Sequence, residues 1–255
     1  MGVPLCTTRD AQLVIMKDRA SNVERMVSLF LSLRQRHSPL PVPLGVKFYN
    51  SVCLPKLLYG LEYCVVEKQS IELLETVHRQ SARRLQGLPS NAPSPVPFAT
   101  MGWLSINALL HIAQMLMLYR ILNLSVHSIY KKVLIARVVY HMDSTGDKPT
   151  HTGPIWSAFS TCVRYGMDML LTQMLETGEI IPINEWKYKV KEKVEATELS
   201  KWNVNRYMYK SLDIFNSCTN KIGIWLWWRI GSLEPALSKA IQLWLDFYLV
   251  KHFTT

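Results

Sequence analysis

The chain has 255 residues, enough for one or two domains with a sizeable core. A hydrophobic share of 49% against a charged share of 19% excludes a disordered chain. The net charge of +10 points to a polyanionic partner, nucleic acid before an acidic membrane surface, with an unliganded basic surface as the alternative.

Arg9 and Asp10 interrupt the N-terminus before an apolar signal segment forms. The densest apolar runs, 133–139 and 222–230, are shorter than a membrane span and contain Arg137 and Arg229. Cys6, Cys53, Cys64, Cys162 and Cys218 are odd in number and scattered, which favours reduced thiols in a nuclear or cytoplasmic protein.

In chain order, the first expected helix covers 11–33. Leu13, Met16, Ala20, Val23, Val27 and Phe30 recur three and four apart, with Asp10 as the cap. Pro39, Pro41 and Pro43 impose an extended connection. A helix from Leu44 then feeds an apolar hinge where Pro55 and Gly60 break the winding. The next helix is the most regular, with Ser70 as N-cap, Glu72 and Glu75 near its start and Gly87 at its end. One face carries Ile71, Leu74, His78, Ser81 and Leu85, and Arg79, Arg83 and Arg84 crowd its last turns. Pro89, Pro93, Pro95 and Pro97 form a second break and a boundary. Beyond it, helices are expected over 106–124, 129–139, 156–177 and 185–199, the last continuing in helical style to 216, with a polar linker over 141–154. The final stretch holds Trp225, Trp227, Trp228 and Trp244, more often core or interface than a base-stacking platform. No alternating strands or internal repeats occur. The fold class is mainly α, an irregular helical bundle: thumb-like helices over 1–97, a connector over 98–142 and a Trp-rich helical region over 143–255.

One ordered set of motifs resembles a known family. It runs Leu54-Pro55-Lys56-Leu57-Leu58-Tyr59-Gly60-Leu61-Glu62-Tyr63-Cys64, then a basic amphipathic helix, Gly87-Leu88-Pro89, Leu104 after Gly102-Trp103, and a long helix ending Leu118-Tyr119-Arg120-Ile121-Leu122. This order is similar to the thumb and following segment of non-LTR (LINE-type) retrotransposon reverse transcriptases, over about 44–122. Gly2-Val3-Pro4-Leu5 resembles the loop that leaves that family's palm. Cys64 stands where the family usually has tryptophan, and Ser105-Ile106 replaces Pro-Leu. The resemblance implies a thumb that grips template and primer through phosphates, with Lys56, Arg79, Arg83 and Arg84 at the matching positions. It also implies that the palm and the zinc knuckle lie outside this chain.

Polymerase chemistry needs carboxylates held together around metal ions, yet no two aspartates are adjacent here. No paired Cys-x-x-Cys, phosphate-binding loop or zinc-protease motif occurs either, so neither metal nor cofactor is expected. Cys162 and Cys218 read as buried thiols, and His78 as a satisfied interior histidine. Binding chemistry remains. Glu75 stands four before Arg79 and can pair with it, whereas Arg83 and Arg84 lack such a partner. A second basic patch, Lys187, Lys189, Lys193 and Arg206, interleaves with Trp186, Tyr188, Trp202 and Tyr207 in the manner of single-strand binders. The alternative is a solvated amphipathic helix with Trp186, Val190 and Val194 as its buried stripe. The expected function is a non-catalytic C-terminal fragment of a LINE-type reverse transcriptase that binds RNA or an RNA–DNA hybrid without reading sequence. Its protein partner is a separate palm or a second copy, with uncovered apolar surface expected at Leu57, Leu58 and Tyr59. The other reading is a helical protein-interaction module.

Overall fold

The computed structural model describes residues 9–33, 42–143 and 153–209, and among them every regular element is helical. The expected C-terminal tryptophans, Cys6, Cys218 and Gly2-Val3-Pro4-Leu5 lie outside the described residues, as does most of the expected linker.

Helix α1, Arg9–Ser32, places Asp10 in its first turn, where it meets the helix dipole instead of capping from outside. Met16, Ala20, Val23 and Val27 are buried at the expected spacing, and the helix packs on α4, Lys68–Gln86. Pro55 does not break the hinge as expected. Helix α2, Val42–Phe48, runs through a wider π-turn, Tyr49–Cys53, directly into α3, Leu54–Leu58. Proline has no N–H to give the preceding turn and its ring crowds the carbonyl four residues back, so the helix widens ahead of it. The chain reverses at Gly60 (φ 74°), whose left-handed backbone costs glycine nothing. Leu57, expected to be uncovered, is fully buried, and its carbonyl accepts from Arg19 Nη1 at 3.1 Å; Tyr59 alone of that trio is exposed.

Helix α4 begins two residues before Ser70, which is buried within the first turn. It ends at Gly87 (φ 71°) in a pair of capping bonds, Leu88 N–H to Arg83 O at 2.8 Å and Gly87 N–H to Arg84 O at 3.2 Å. The Pro-rich stretch read as a break contains α5, Pro95–Met101. Pro95 and Pro97 both fall in its first turn, where backbone N–H groups have no helical acceptor and proline costs nothing. Helices α6, Ile106–Leu122, and α7, Ile129–Asp143, follow. The single helix expected over 156–177 is two, α8, Pro154–Arg164, and α9, Asp168–Thr177. Between them Gly166 (φ 64°) lets Met167 N–H reach back to Cys162 O at 2.9 Å, closing α8 as Gly87 closes α4. The last element, α10, Ile183–Tyr207, takes in the helix expected over 185–199 and its helical continuation as far as Tyr207.

The chain divides into two compact units whose segments alternate along the sequence. One takes in 58–67 and 107–197. Its core joins α6 to later elements: Trp186 Nε1 donates to Met115 O at 3.1 Å, Tyr119 OH to Ile181 O at 2.7 Å, and Thr161 Oγ1 to Gln114 Oε1 at 3.0 Å. Trp186, Val190 and Val194 are all completely buried, the stripe expected of a solvated amphipathic helix. Burial likewise pushes the Cys162 thiol up to about 12, which leaves it a small apolar side chain and no nucleophile. The other unit takes in 9–57, 68–106 and 198–209 and is built on α1, α4 and α5. No single helix among the described residues is long and apolar enough to cross a membrane.

Candidate nucleic-acid interface

In the unit built on α4, the helix is fixed by its one buried imidazole. His78 Nε2 lies 3.0 Å from Leu104 O, and a carbonyl only accepts, so the proton is on Nε2. Nδ1 then accepts from Tyr49 OH at 2.9 Å. The ring stacks on Trp103 (centroids 4.8 Å apart) and leans on Phe98. Burial lowers the His78 pKa to about 4, so the imidazole is neutral, the satisfied interior histidine that its place on the apolar face suggests. The same burial pushes the Tyr49 phenol well above its ordinary value.

This anchoring decides which arginines of α4 are available. Arg79 donates from Nη2 to Thr76 Oγ1 at 3.3 Å, and the expected pairing with Glu75 is not among the ion pairs of the described residues. Arg84 is exposed and spends one of its five donors on Ser28 Oγ at 2.9 Å, which ties α4 to α1. Arg83, singled out because no acid stands four before it, is the committed one. Its Nε and Nη2 clamp Ala92 O at 3.0 and 2.7 Å, and Nη2 also reaches Ser94 Oγ at 3.3 Å. Burial, and after it the positive charge of Arg79, lowers the Arg83 pKa. The partner is a backbone carbonyl nine residues on, which a search for carboxylates at helical spacing does not find. Lys56 is exposed on α3.

The second patch divides between the two units. Lys187 and Lys193 are exposed on the first half of α10, and Lys189 pairs with Glu185 at 3.4 Å. Lys191 pairs with Glu195 at 3.5 Å, so that half of the helix alternates in sign. Arg206, expected on phosphate, is instead buried in the unit built on α4. Its guanidinium lies 4.5 Å from the Trp202 ring centroid and 4.7 Å from that of Tyr207, and Nη2 donates to Tyr207 OH at 3.0 Å. The spacing of Trp202 and Arg206, one helical turn, is the sequence signal for that contact.

A cleft of about 630 Å³ opens in this unit, and it brings Arg79 of the first expected patch beside Trp202 of the second. Arg79 and Lys201 line it together with Phe98, Trp103, Trp202 and Tyr209. Glu198 is held there by Ser105 Oγ at 2.6 Å and by Lys201 Nζ at 2.8 Å, and Trp202 Nε1 donates to Pro95 O at 2.9 Å. With Glu75 also in the wall, the cleft carries two cations and two carboxylates. It is therefore a mixed aromatic cleft, not a phosphate cradle. Among the described residues no three or more His, Cys, Asp or Glu side chains stand close enough to hold a metal ion.

The charge distribution along the chain completes the picture. Between Glu75 and Asp143 the sequence contains no acidic residue, but it contains Arg79, Arg83, Arg84, Arg120, Lys131, Lys132 and Arg137. The positive charge is thus concentrated in the segment that begins with the basic half of α4, and the acids of that helix lie in its first half. Comparison with protein-family models, curated proteins and solved structures found no match to the chain.

Proposed function

We propose that the chain is the thumb and post-thumb region of a LINE-type reverse transcriptase, which holds RNA or an RNA–DNA hybrid by its phosphates and carries out no polymerisation alone. The observation that carries this reading is the acid-free run after Glu75, in which Arg79 and Arg84 keep donors uncommitted to any carboxylate among the described residues. Phosphate contact uses long cations with donors to spare, as on exposed Arg84 and half-buried Arg79, and it positions a duplex without reading bases. Lys56, Lys187 and Lys193 are also exposed and outside every ion pair of the described residues, the last two on a helix of alternating charge that weakens their pull on a phosphate. A second reading, a helical protein-interaction module, draws on the uncovered apolar face of α7.

The experiment compares two arginine variants for binding to an RNA–DNA hybrid across a salt series. Arg79→Gln with Arg84→Gln should flatten the slope of log affinity against log salt by about one for each arginine, alike for unrelated sequences. Thermal stability should change little. Arg83→Gln should leave the slope in place and lower stability by about 1–3 kcal/mol, because Ala92 O loses its charged donors. An unchanged slope in the double variant removes the nucleic-acid reading and leaves the interaction module.

A further inference from the structure

Helix α7 packs on α8 through a narrow inner face, with Leu134 and Val138 buried. Its outer face is apolar as well. Ile129 is 68% exposed, Val139 and Tyr140 51%, Ile135 40% and Val133 39%, with Ala136 exposed between them. At 100° per residue these side chains form one continuous arc, interrupted only by Lys132. Contiguous apolar surface of this kind marks a contact site.

The pattern is symmetric about Ala136. Three residues to either side stand Val133 and Val139, and four to either side stand Lys132 and Tyr140. A two-fold axis through Ala136 of an antiparallel helix pair therefore sets each valine on its counterpart. It also lays each Lys132 ammonium on the partner's Tyr140 ring, a cation–π contact. Alanine at the axis lets the two backbones approach. Lys132 has no ion pair among the described residues, and α7 offers no acid before Asp143. A cation in the middle of the apolar arc suits a ring across an interface better than the acyl interior of a bilayer, where its charge is costly.

We propose that the outer face of α7 is a self-association site, where two copies of the chain pair antiparallel across Ala136. A contact of one helix per copy lies at the small end of specific interfaces, so the dimer is weak and forms in the micromolar range. Each copy carries a net charge of +10, so added salt screens the repulsion and strengthens pairing, the opposite sign from nucleic-acid binding.

The test uses the full chain and measures mass against concentration by sedimentation, at low and high NaCl. The mass should rise from 29.4 kDa towards twice that value by about 100 μM, and more readily at high salt. Ala136→Arg places two like charges at the axis and should return the chain to monomer at unchanged helical content. Ala136→Cys should form a disulfide-linked dimer under mild oxidation well above the wild-type level. Ser160→Cys, exposed on α8, should not. A chain that stays monomeric at about 100 μM, or a dimer that survives Ala136→Arg, overturns the proposal. So does an Ala136→Cys chain that is monomeric alone and whose introduced thiol is protected from alkylation by phosphatidylserine vesicles or by an acidic amphipathic peptide.

Discussion

Helices α4 and α10 look alike as sequence, each amphipathic and each rich in cations, yet they treat charge in opposite ways. In α10 the lysines alternate with glutamates, and Lys189, Lys191 and Lys201 each have an acid three or four residues away. In α4 the acids occupy the first half and the arginines the second, and the ion pair at helical spacing among the described residues joins Lys68 to Glu72. Mixed charge solvates a helix, whereas segregated charge leaves cations to seek other acceptors. Arg83 finds a carbonyl, Arg84 a hydroxyl and Arg79 the Thr76 hydroxyl, and each guanidinium of the latter two commits one nitrogen there. Counting basic residues does not separate the two cases, but their order does.

The comparison is sharpest at the ring that anchors each helix. Trp186 of α10 is wholly buried and donates to Met115 O, so Trp186→Ala should cost about 3–5 kcal/mol in chemical denaturation. A loss below about 1 kcal/mol would show that α10 is not held by this indole. His78 of α4 is the corresponding anchor, and it titrates. Its pKa is about 4 in the fold against 6.5 unfolded, so the unfolded chain takes up a proton first as pH falls. The stabilisation is full above pH 6.5 and lost progressively down to about pH 4, by about 3 kcal/mol. His78→Gln should flatten that part of the stability–pH curve, and an unaltered curve would place the acid sensitivity elsewhere. The smallest effect belongs to the mixed-charge helix. Lys187→Gln with Lys193→Gln should change stability by no more than about 0.5 kcal/mol. The salt slope for hybrid binding should shift less than with Arg79 and Arg84; a larger shift would move the interface to α10.

Much of the helical framework was legible because its signals are local. The apolar spacing of Met16, Ala20, Val23 and Val27 and the glycine after α4 both act within a turn or two, and both hold. The errors came where a local signal had two outcomes. Gly166 ends a helix only if its φ turns positive, and nothing in the apolar pattern of 156–177 decides that. Prolines read as breakers were accommodated twice, by position in α5 and by a wider turn ahead of Pro55. The candidate site was less legible than the fold. The clamp of Arg83 on Ala92 O and the cleft between Arg79 and Lys201 depend on tertiary approach, and a carbonyl acceptor has no residue type to betray it. Arg206 was the avoidable miss, since a tryptophan one turn away already offered it a ring.

The π-turn at Tyr49–Cys53 has a consequence for how this sequence tolerates change in length. A wider turn carries one residue more than regular winding would, so it stores a single-residue insertion inside a helix that otherwise runs on. Deleting any one of residues 50–52 would return the segment to uniform pitch. Because the wider turn absorbs that residue locally, the deletion would leave Leu57 close to its present phase relative to α2, still facing the core with its carbonyl near Arg19. At this place a frame-preserving loss of one codon is therefore milder than in a regularly wound helix, where it would rotate everything that follows by about 100°.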